Sequence, residues 1–339
     1  MKASVQILNE LRHENGLFSA SKKNVSTGYH MAWIRDNIYS AMGLESVDPN
    51  AVALTFRTLL AIFLKHESKI DSAIRNKPSD KQDYIHARYH PHNLEESNQE
   101  WGNKQNDSIG LFLFKLSELT QMGFEIMRTA DDLRIVQKLV LYLESIQYHS
   151  DADNGVWEEN EEVHASSVGA CVAGLKKLRQ TSFLISGKWN LITVPSELIE
   201  KGQETLNRLL PRESATKEID MALLSLIWPY EVVTNEQRDQ ILKNVEEKLV
   251  RNKGVIRYMG DRYYNKDGEA EWTMGFPWLA IIYKKLGNHQ KHILYLHKSM
   301  KAMNEYKELP ELYFADSNEY NENCPLGWAQ SLHEVAENV

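Results

Sequence analysis

The stretch Asn154–Gly169, NGVWEENEEVHASSVG, sets four glutamates (Glu158, Glu159, Glu161 and Glu162) directly behind Trp157 and directly ahead of a run of small residues. An acidic cluster alone reads as solvated surface. Here the tryptophan stands where a polar run gives way to a helical pattern from about residue 164, and that combination recurs. Trp33 precedes a helix from about 35, Trp101 one from about 107, Trp272 and Trp278 open another, and Trp328 opens the last. Polar partners accompany them: Arg35-Asp36, Asn106-Asp107, Glu158-Glu159, Arg257, and Glu311 in LPELYF. With Asp220 at the head of DMALLSLIWP, the clusters begin near 33, 101, 157, 220, 257–272 and 311. Their separation, roughly 40–65 residues, is the length of a helical hairpin with its loops. Each falls on the N-terminal side of every second helix. Six hairpins closed into a ring gather all six clusters at one end, around a pit lined by Trp, Asp, Glu and Arg. The expected fold is therefore all-α, an (α/α)6 toroid. A tryptophan at a helix start also serves as a core anchor, and first-turn charges also serve as caps. It is the recurrence of six in one register that favours the pit.

Helical periodicity supports this reading elsewhere. DSIGLFLFKLSELTQMG (107–123) and ADDLRIVQKLVLYLESIQ (130–147) place apolar residues three and four apart. Asp48-Pro49 reads as an N-cap with proline at the first helical position. Thr234 and Gln237 have capping-box spacing before EQRDQILKNVEEKLV. Further helices are expected over about 35–46, 50–73, 164–180, 195–210, 218–228, 272–287, 289–305 and 326–336. No convincing set of strands is visible, although GVIRYMGDRYYN reads as a short hairpin. The polar segment 75–105 lacks periodicity, and a loop that long is usually functional or disordered. No Pro/Gly/Ser-rich linker divides residues 1–339, so one domain is expected.

The formal charge of −8 lacks the basic face that nucleic acid requires. The N-terminus shows no signal-peptide pattern, and LTFRTLLAIFLK is too short to span a bilayer and contains Arg57. Cys171 and Cys324 are far apart and in no metal spacing. A cytoplasmic protein with no membrane partner, no cofactor and no metal is expected. Its oligomeric state is not encoded in any pattern.

A pit lined by tryptophan, carboxylates and arginine suits a sugar, because aromatic faces stack on pyranose C–H surfaces while charged groups hydrogen-bond the hydroxyls. The residues also resemble a known family. HMAWIRDNIYSAMG (30–43), EWGNKQNDSIG (100–110), NGVWEENEEVHASSVG (154–169), LPELYF (309–314) and PLGWAQSL (325–332) are similar, in this order, to glycoside hydrolase family 15. That family contains glucoamylases, glucodextranases and some trehalases. Several of the motifs are especially similar to the glycoside-hydrolase-like N-terminal domain of phosphorylase kinase regulatory subunits. The resemblance implies inverting hydrolysis that releases glucose from the non-reducing end of an α-glucoside or oligosaccharide. Carried over, Trp33, Arg35 and Asp36 match the motif that grips the terminal glucose, and Trp101, Gly102, Gln105 and Asp107 match a wall of the pit. Glu158 matches the general acid, with Trp157 and Glu159 beside it as binding residues. Arg257 and Trp328 match sugar-contacting positions, and Glu311 matches the general base. The chain departs from the family in lacking room for the N-terminal β-sandwich domain of many bacterial members. It also has Gly155 where an Asp is common.

Inverting hydrolysis needs two carboxyls about 6.5–9.5 Å apart, one protonated and one ionised. Trp157 and the like charge of Glu159 are both expected to keep Glu158 protonated. Chemistry alone does not rank Glu158 against Glu159; that order comes from the resemblance. Glu161 and Glu162 read as loop charge, His164 as a helix-start residue, and Ala165–Ala170 as a run that lets helices approach closely. His86, His90 and His92 lack the register of a metal site. A sugar-binding regulatory domain without useful turnover would keep the same pit, so it remains the alternative.

Overall fold

A computed structural model describes every residue except 1, 23, 24, 100 and 185–190. Among the described residues are thirteen α-helices and only four strands, each two residues long. The inner helices are α2 (Ile34–Met42), α5 (Asn106–Gln121), α7 (Ala165–Leu184), α9 (Leu224–Ile227), α11 (Gly275–Lys285) and α13 (Gly327–Asn338). Each packs on the next in that order, and α13 returns to α2, so the six close into a ring. The outer layer comprises α3 (Pro49–Lys65), α4 (Glu67–Arg75), α6 (Ala130–Ile146), α8 (Ser196–Leu209), α10 (Asn235–Lys248), α12 (His289–Lys301) and α1 (Ala3–Leu11). The (α/α)6 toroid expected from the spacing is the fold observed. The sixth hairpin joins the first helix to the last: α1 packs on α13.

Burial follows this arrangement. All nine residues of α2 are buried, including Arg35, Asp36, Asn37 and Ser40, as an inner helix requires. The most extensive helix contact is between α5 and α7, where small residues let the backbones meet. A Cβ added to Gly110 would lie 2.4 Å from the Ala170 carbonyl carbon, and one on Gly174 would lie 2.3 Å from the Gly110 carbonyl oxygen. Thus the expected close packing of the 165–170 run is present, with Gly110 and Gly174 completing it.

Helix boundaries follow capping chemistry. The Asp48 side chain accepts from Ala51 N–H with Pro49 in the first turn, and Thr234 and Gln237 form the reciprocal capping box. The expected 50–73 helix divides at His66, whose ring nitrogen is turned to the Leu94 carbonyl. The expected 218–228 helix is a 3-10 turn (Met221–Leu223) followed by the single turn of α9. It stops before Pro229, which has no N–H to continue it. The 254–265 stretch is not a hairpin by itself: Val255 bridges to Trp272, and Tyr258 to Asp220. Helix α1 was absent from the expectations, although Val5, Leu8 and Leu11 are spaced for one buried face.

The four strands form two antiparallel pairs at the N-terminal ends of inner helices. β1 (Ala32–Trp33) pairs with β2 (Arg88–Tyr89), setting Trp33 opposite Arg88. β3 (Glu271–Trp272) pairs with β4 (Leu312–Tyr313), setting Trp272 opposite Leu312, next to Glu311. The non-periodic 75–105 segment supplies β2 and is therefore part of the architecture at this end.

Candidate functional site

A cavity of about 710 Å³ opens at the end where β1 and β3 lead into α2 and α11. Trp33, Arg35, Asp36, Trp101, Trp157, Glu158, Glu159, Arg257, Glu311 and Trp328 all line it. They come from six separate segments of chain, which only the closed ring brings together. A second hollow, of about 470 Å³ and lined by Met42, Phe114, Trp228 and Val335, holds none of these residues.

Glu158 sits at a corner built by backbone turns. Its φ of +63° is in the left-handed region that few residues other than glycine adopt. A Cβ on Gly102 would lie 2.6 Å from the Glu158 carbonyl oxygen, so only glycine lets the 101–103 segment back this corner. Arg35 donates from Nη2 to Glu158 Oε1 at 3.1 Å and from Nη1 to Gln105 Oε1 at 2.8 Å and Asp107 Oδ2 at 3.0 Å. Gln105 and Asp107 therefore do not line the cavity as expected; they lie behind Arg35 and fix its guanidinium. The Glu158 side chain retains 20% of its exposure, onto the cavity it lines. Burial pushes its carboxyl up, Arg35 opposes this and Asp36 adds to it, leaving it at about 8. Asp36 is itself raised by burial, against Arg35, to about 6.

The expectation that the like charge of Glu159 would help keep Glu158 protonated is not met. Both Glu159 oxygens are occupied: Oε1 accepts from Arg257 Nη2 at 2.8 Å, Oε2 from Lys217 Nζ at 2.6 Å, and Tyr258 Oη lies 2.8 Å from each. Its charge is balanced locally, and Asp36 is the acidic neighbour that bears on Glu158. Arg257 is held further by Asp261, at 2.7 and 2.6 Å, and lies over the rings of Trp157, Tyr263 and Trp272 at 5.4, 4.9 and 5.1 Å. Asp220 does not reach the cavity lining; it accepts from Trp157 Nε1 at 2.8 Å and orients that ring.

Glu311 is fully buried at residue level and held differently. Tyr29 Oη donates to Oε1 at 2.5 Å, and the side-chain amides of Asn321 and Asn323 donate to Oε2 at 2.5 and 2.8 Å. Its carboxyl is raised above the ordinary value by burial, which those three donors and Arg257 oppose by favouring the charged form. Tyr29, Asn321, Asn323, Arg88 and Tyr263 were not singled out from the sequence. They lie in segments without periodicity, and only Tyr29, four residues before Trp33 in a recognisable motif, offered a positional cue.

Trp278 is a core residue whose indole N–H bonds the Trp228 carbonyl at 2.8 Å. His164 Nδ1 lies 3.4 Å from Glu213; burial pushes the ring down, but Glu213 and Asp153 carry it up to about 9. A Cβ on Gly155 would lie 2.8 Å from the His164 ring, so that imidazole occupies the space beside this glycine. Glu161 reaches toward Lys104 at 3.8 Å, and Glu162 is no idle loop charge: it accepts from Thr216 Oγ1 at 2.7 Å. His86 Nδ1 accepts the Arg88 N–H at 3.0 Å, and His92 packs edge-on against His13.

The comparison that decides kinship covers nearly the whole chain: residues 2–336 match glycosyl hydrolases family 15. The chain belongs to that family. The phosphorylase b kinase regulatory subunit alpha, skeletal muscle isoform, of Oryctolagus cuniculus is 26% identical over 370 residues, spanning 89% of this chain and 30% of the relative. The chain thus covers less than a third of that relative's length. Among solved structures, a wild-type glycosidase superposes with a TM-score of 0.84 at 17% identity, covering 99% of this chain and 94% of the other. A bacterial glucoamylase complexed with acarbose superposes with a TM-score of 0.74 at 15% identity, covering 98% of this family 15 chain and 54% of the glucoamylase. These likenesses establish a glycoside-hydrolase fold. Among the described residues, no helix is long and apolar enough to cross a membrane.

Proposed function

We propose that this protein is an inverting glycoside hydrolase that releases glucose from the non-reducing end of α-glucosides, with Glu158 as general acid and Glu311 as general base. The observation that carries the reading is the unequal holding of two carboxyls in one aromatic-lined cavity. Glu158 is raised to about 8, so at neutral pH it retains the proton that a leaving glycosidic oxygen requires. Glu311 receives three hydrogen-bond donors, which favour the ionised form that activates a water. Trp33, Trp101, Trp157 and Trp328 offer faces for the sugar rings, while Arg35, Asp36 and Arg257 offer hydrogen bonds to hydroxyls. The chemistry calls on no cofactor. Maltooligosaccharides, isomaltose-like sugars and trehalose are the candidate substrates.

The second reading, a sugar-binding regulatory domain without turnover, is favoured by the similarity to a kinase regulatory subunit, whose sequence matches 89% of this chain. One experiment separates the two. The purified protein is incubated with maltose, isomaltose, trehalose and maltotetraose, and glucose release and its anomer are followed by NMR. Prompt β-glucose, lost in both Glu158→Gln and Glu311→Gln, supports the hydrolase. Binding of a sugar or of acarbose with no glucose released supports the regulatory domain and overturns the hydrolase.

A further inference from the structure

The three arginines of the cavity are not held alike. Arg35 is paired with Asp107 and hydrogen-bonds Glu158, and Arg257 is paired with Asp261 and Glu159. Arg88 forms no ion pair among the described residues. Its Nη2 donates to two neutral acceptors, Ser97 Oγ at 2.9 Å and Gln99 Oε1 at 2.7 Å, and its Nε finds no acceptor. The residue is only 3% exposed, yet it lines the cavity with its guanidinium over Trp101 at 4.4 Å and Trp33 at 5.0 Å. A buried charge without a counter-charge is unfavourable, and stacking on indole faces offsets only part of that.

From this arrangement we propose that the cavity takes an anionic sugar, one bearing a phosphate or a carboxylate, whose charged group pairs with the Arg88 guanidinium. The proposal rests on the reading of the cavity as a sugar site and narrows its substrate class. The planar fork of arginine suits either anion. Pairing of Trp33 with Arg88 across β1 and β2 holds the guanidinium beside the rings on which a pyranose would stack. Glu158, an acidic group whose charge bears on Arg88, retains its proton at neutral pH and leaves the arginine uncompensated. A volume of about 710 Å³ has room for the added group.

The test is calorimetric binding to the intact protein of glucose, glucose 6-phosphate, glucose 1-phosphate, glucuronic acid and inorganic phosphate. At least one anionic sugar is expected to bind about tenfold or more tightly than glucose. The phosphate and carboxylate arms show which anion is preferred. That preference, taken as the ratio of anionic-sugar to glucose affinity in the same protein, is expected to collapse to about one in Arg88→Gln. Raising the salt from about 20 to 200 mM should shrink the preference in the wild type without changing glucose affinity, a readout that needs no variant. Equal affinity for glucose and every anionic sugar, a preference that survives R88Q, or one insensitive to salt overturns the proposal and leaves the sugar site standing. If no sugar binds at all, charged or neutral, the sugar site fails and this proposal with it.

Discussion

Arg35 holds Glu158 through Nη2 at 3.1 Å while Asp107 holds Arg35 through Nη1 at 3.0 Å, so the two acidic side chains share one guanidinium from opposite sides. Asp107 is 2% exposed and unseen from the cavity, whereas Glu158 faces it. Replacing Asp107 by Asn leaves the buried Arg35 without an ionised partner at neutral pH, because Glu158 retains its proton and Gln105 is neutral. Loss of one member of a buried pair costs about 3–5 kcal/mol. The expected outcome for Asp107→Asn is destabilisation of that order in urea unfolding. A loss below about 1 kcal/mol would show that Gln105 alone fixes the arginine.

The raised carboxyl of Glu158 has a sign in stability as well as in chemistry. Its folded value, about 8, lies above the ordinary carboxylate value. The folded state therefore binds more protons than the unfolded one between roughly pH 4.3 and pH 8, and stability falls as pH rises through that window. Asp36 and Asp220, raised by burial to about 6 and 7, act in the same direction. Glu158→Gln removes only the first contribution. The melting temperature of this variant minus that of the wild type is expected to grow from pH 5 to pH 8, and a difference that stays flat contradicts a raised Glu158. Under the hydrolase reading, activity is expected to fall on the alkaline side near pH 8.

Tyr29→Phe removes one of three donors to Glu311. A hydrogen bond to a charged group is worth about 1.5–3 kcal/mol, so the carboxyl is expected to rise by about one pH unit or more. The acid limb of the pH–rate profile would move to higher pH by that amount. If the limb stays in place while the rate falls uniformly, Tyr29 acts on the substrate and not through Glu311.

Gly110→Ala places a methyl group 2.4 Å from the α7 backbone at Ala170. Backbone cannot swing aside as a side-chain tip can, so the two inner helices must separate. Overpacking of this kind costs about 1–3 kcal/mol or more. Thermal unfolding of Gly110→Ala and Gly174→Ala should each show a lowered midpoint, with Gly123→Ala, whose added Cβ meets nothing within 4 Å but which carries a φ of +89°, as a comparison for strain without contact.

The ring was legible because its signal is local and repeated. Trp33, Trp101, Trp157, Trp272 and Trp328 each announce an inner helix from a few residues away. The residues that grip the two glutamates were harder to read. Arg88 reaches Trp33 through a ladder of two residue pairs, too short to leave an alternation in the sequence. Asn321 and Asn323 act on Glu311 from a loop with no pattern at all. Gln105 and Asp107 were expected in a wall of the pit, but sequence order does not say which side of Arg35 they occupy, and they lie behind it. Helix α1 is only nine residues long, and the one face that Val5, Leu8 and Leu11 bury is too short to stand out in the sequence.

The packing of α1 on α13 means that the circle is fastened by contacts between side chains and not by the course of the backbone. A stack of helical pairs with free ends frays from those ends, one unit at a time. A fastened circle offers no such starting point: to loosen any pair, the clasp must first open, and all the walls of the cavity then lose their common frame together.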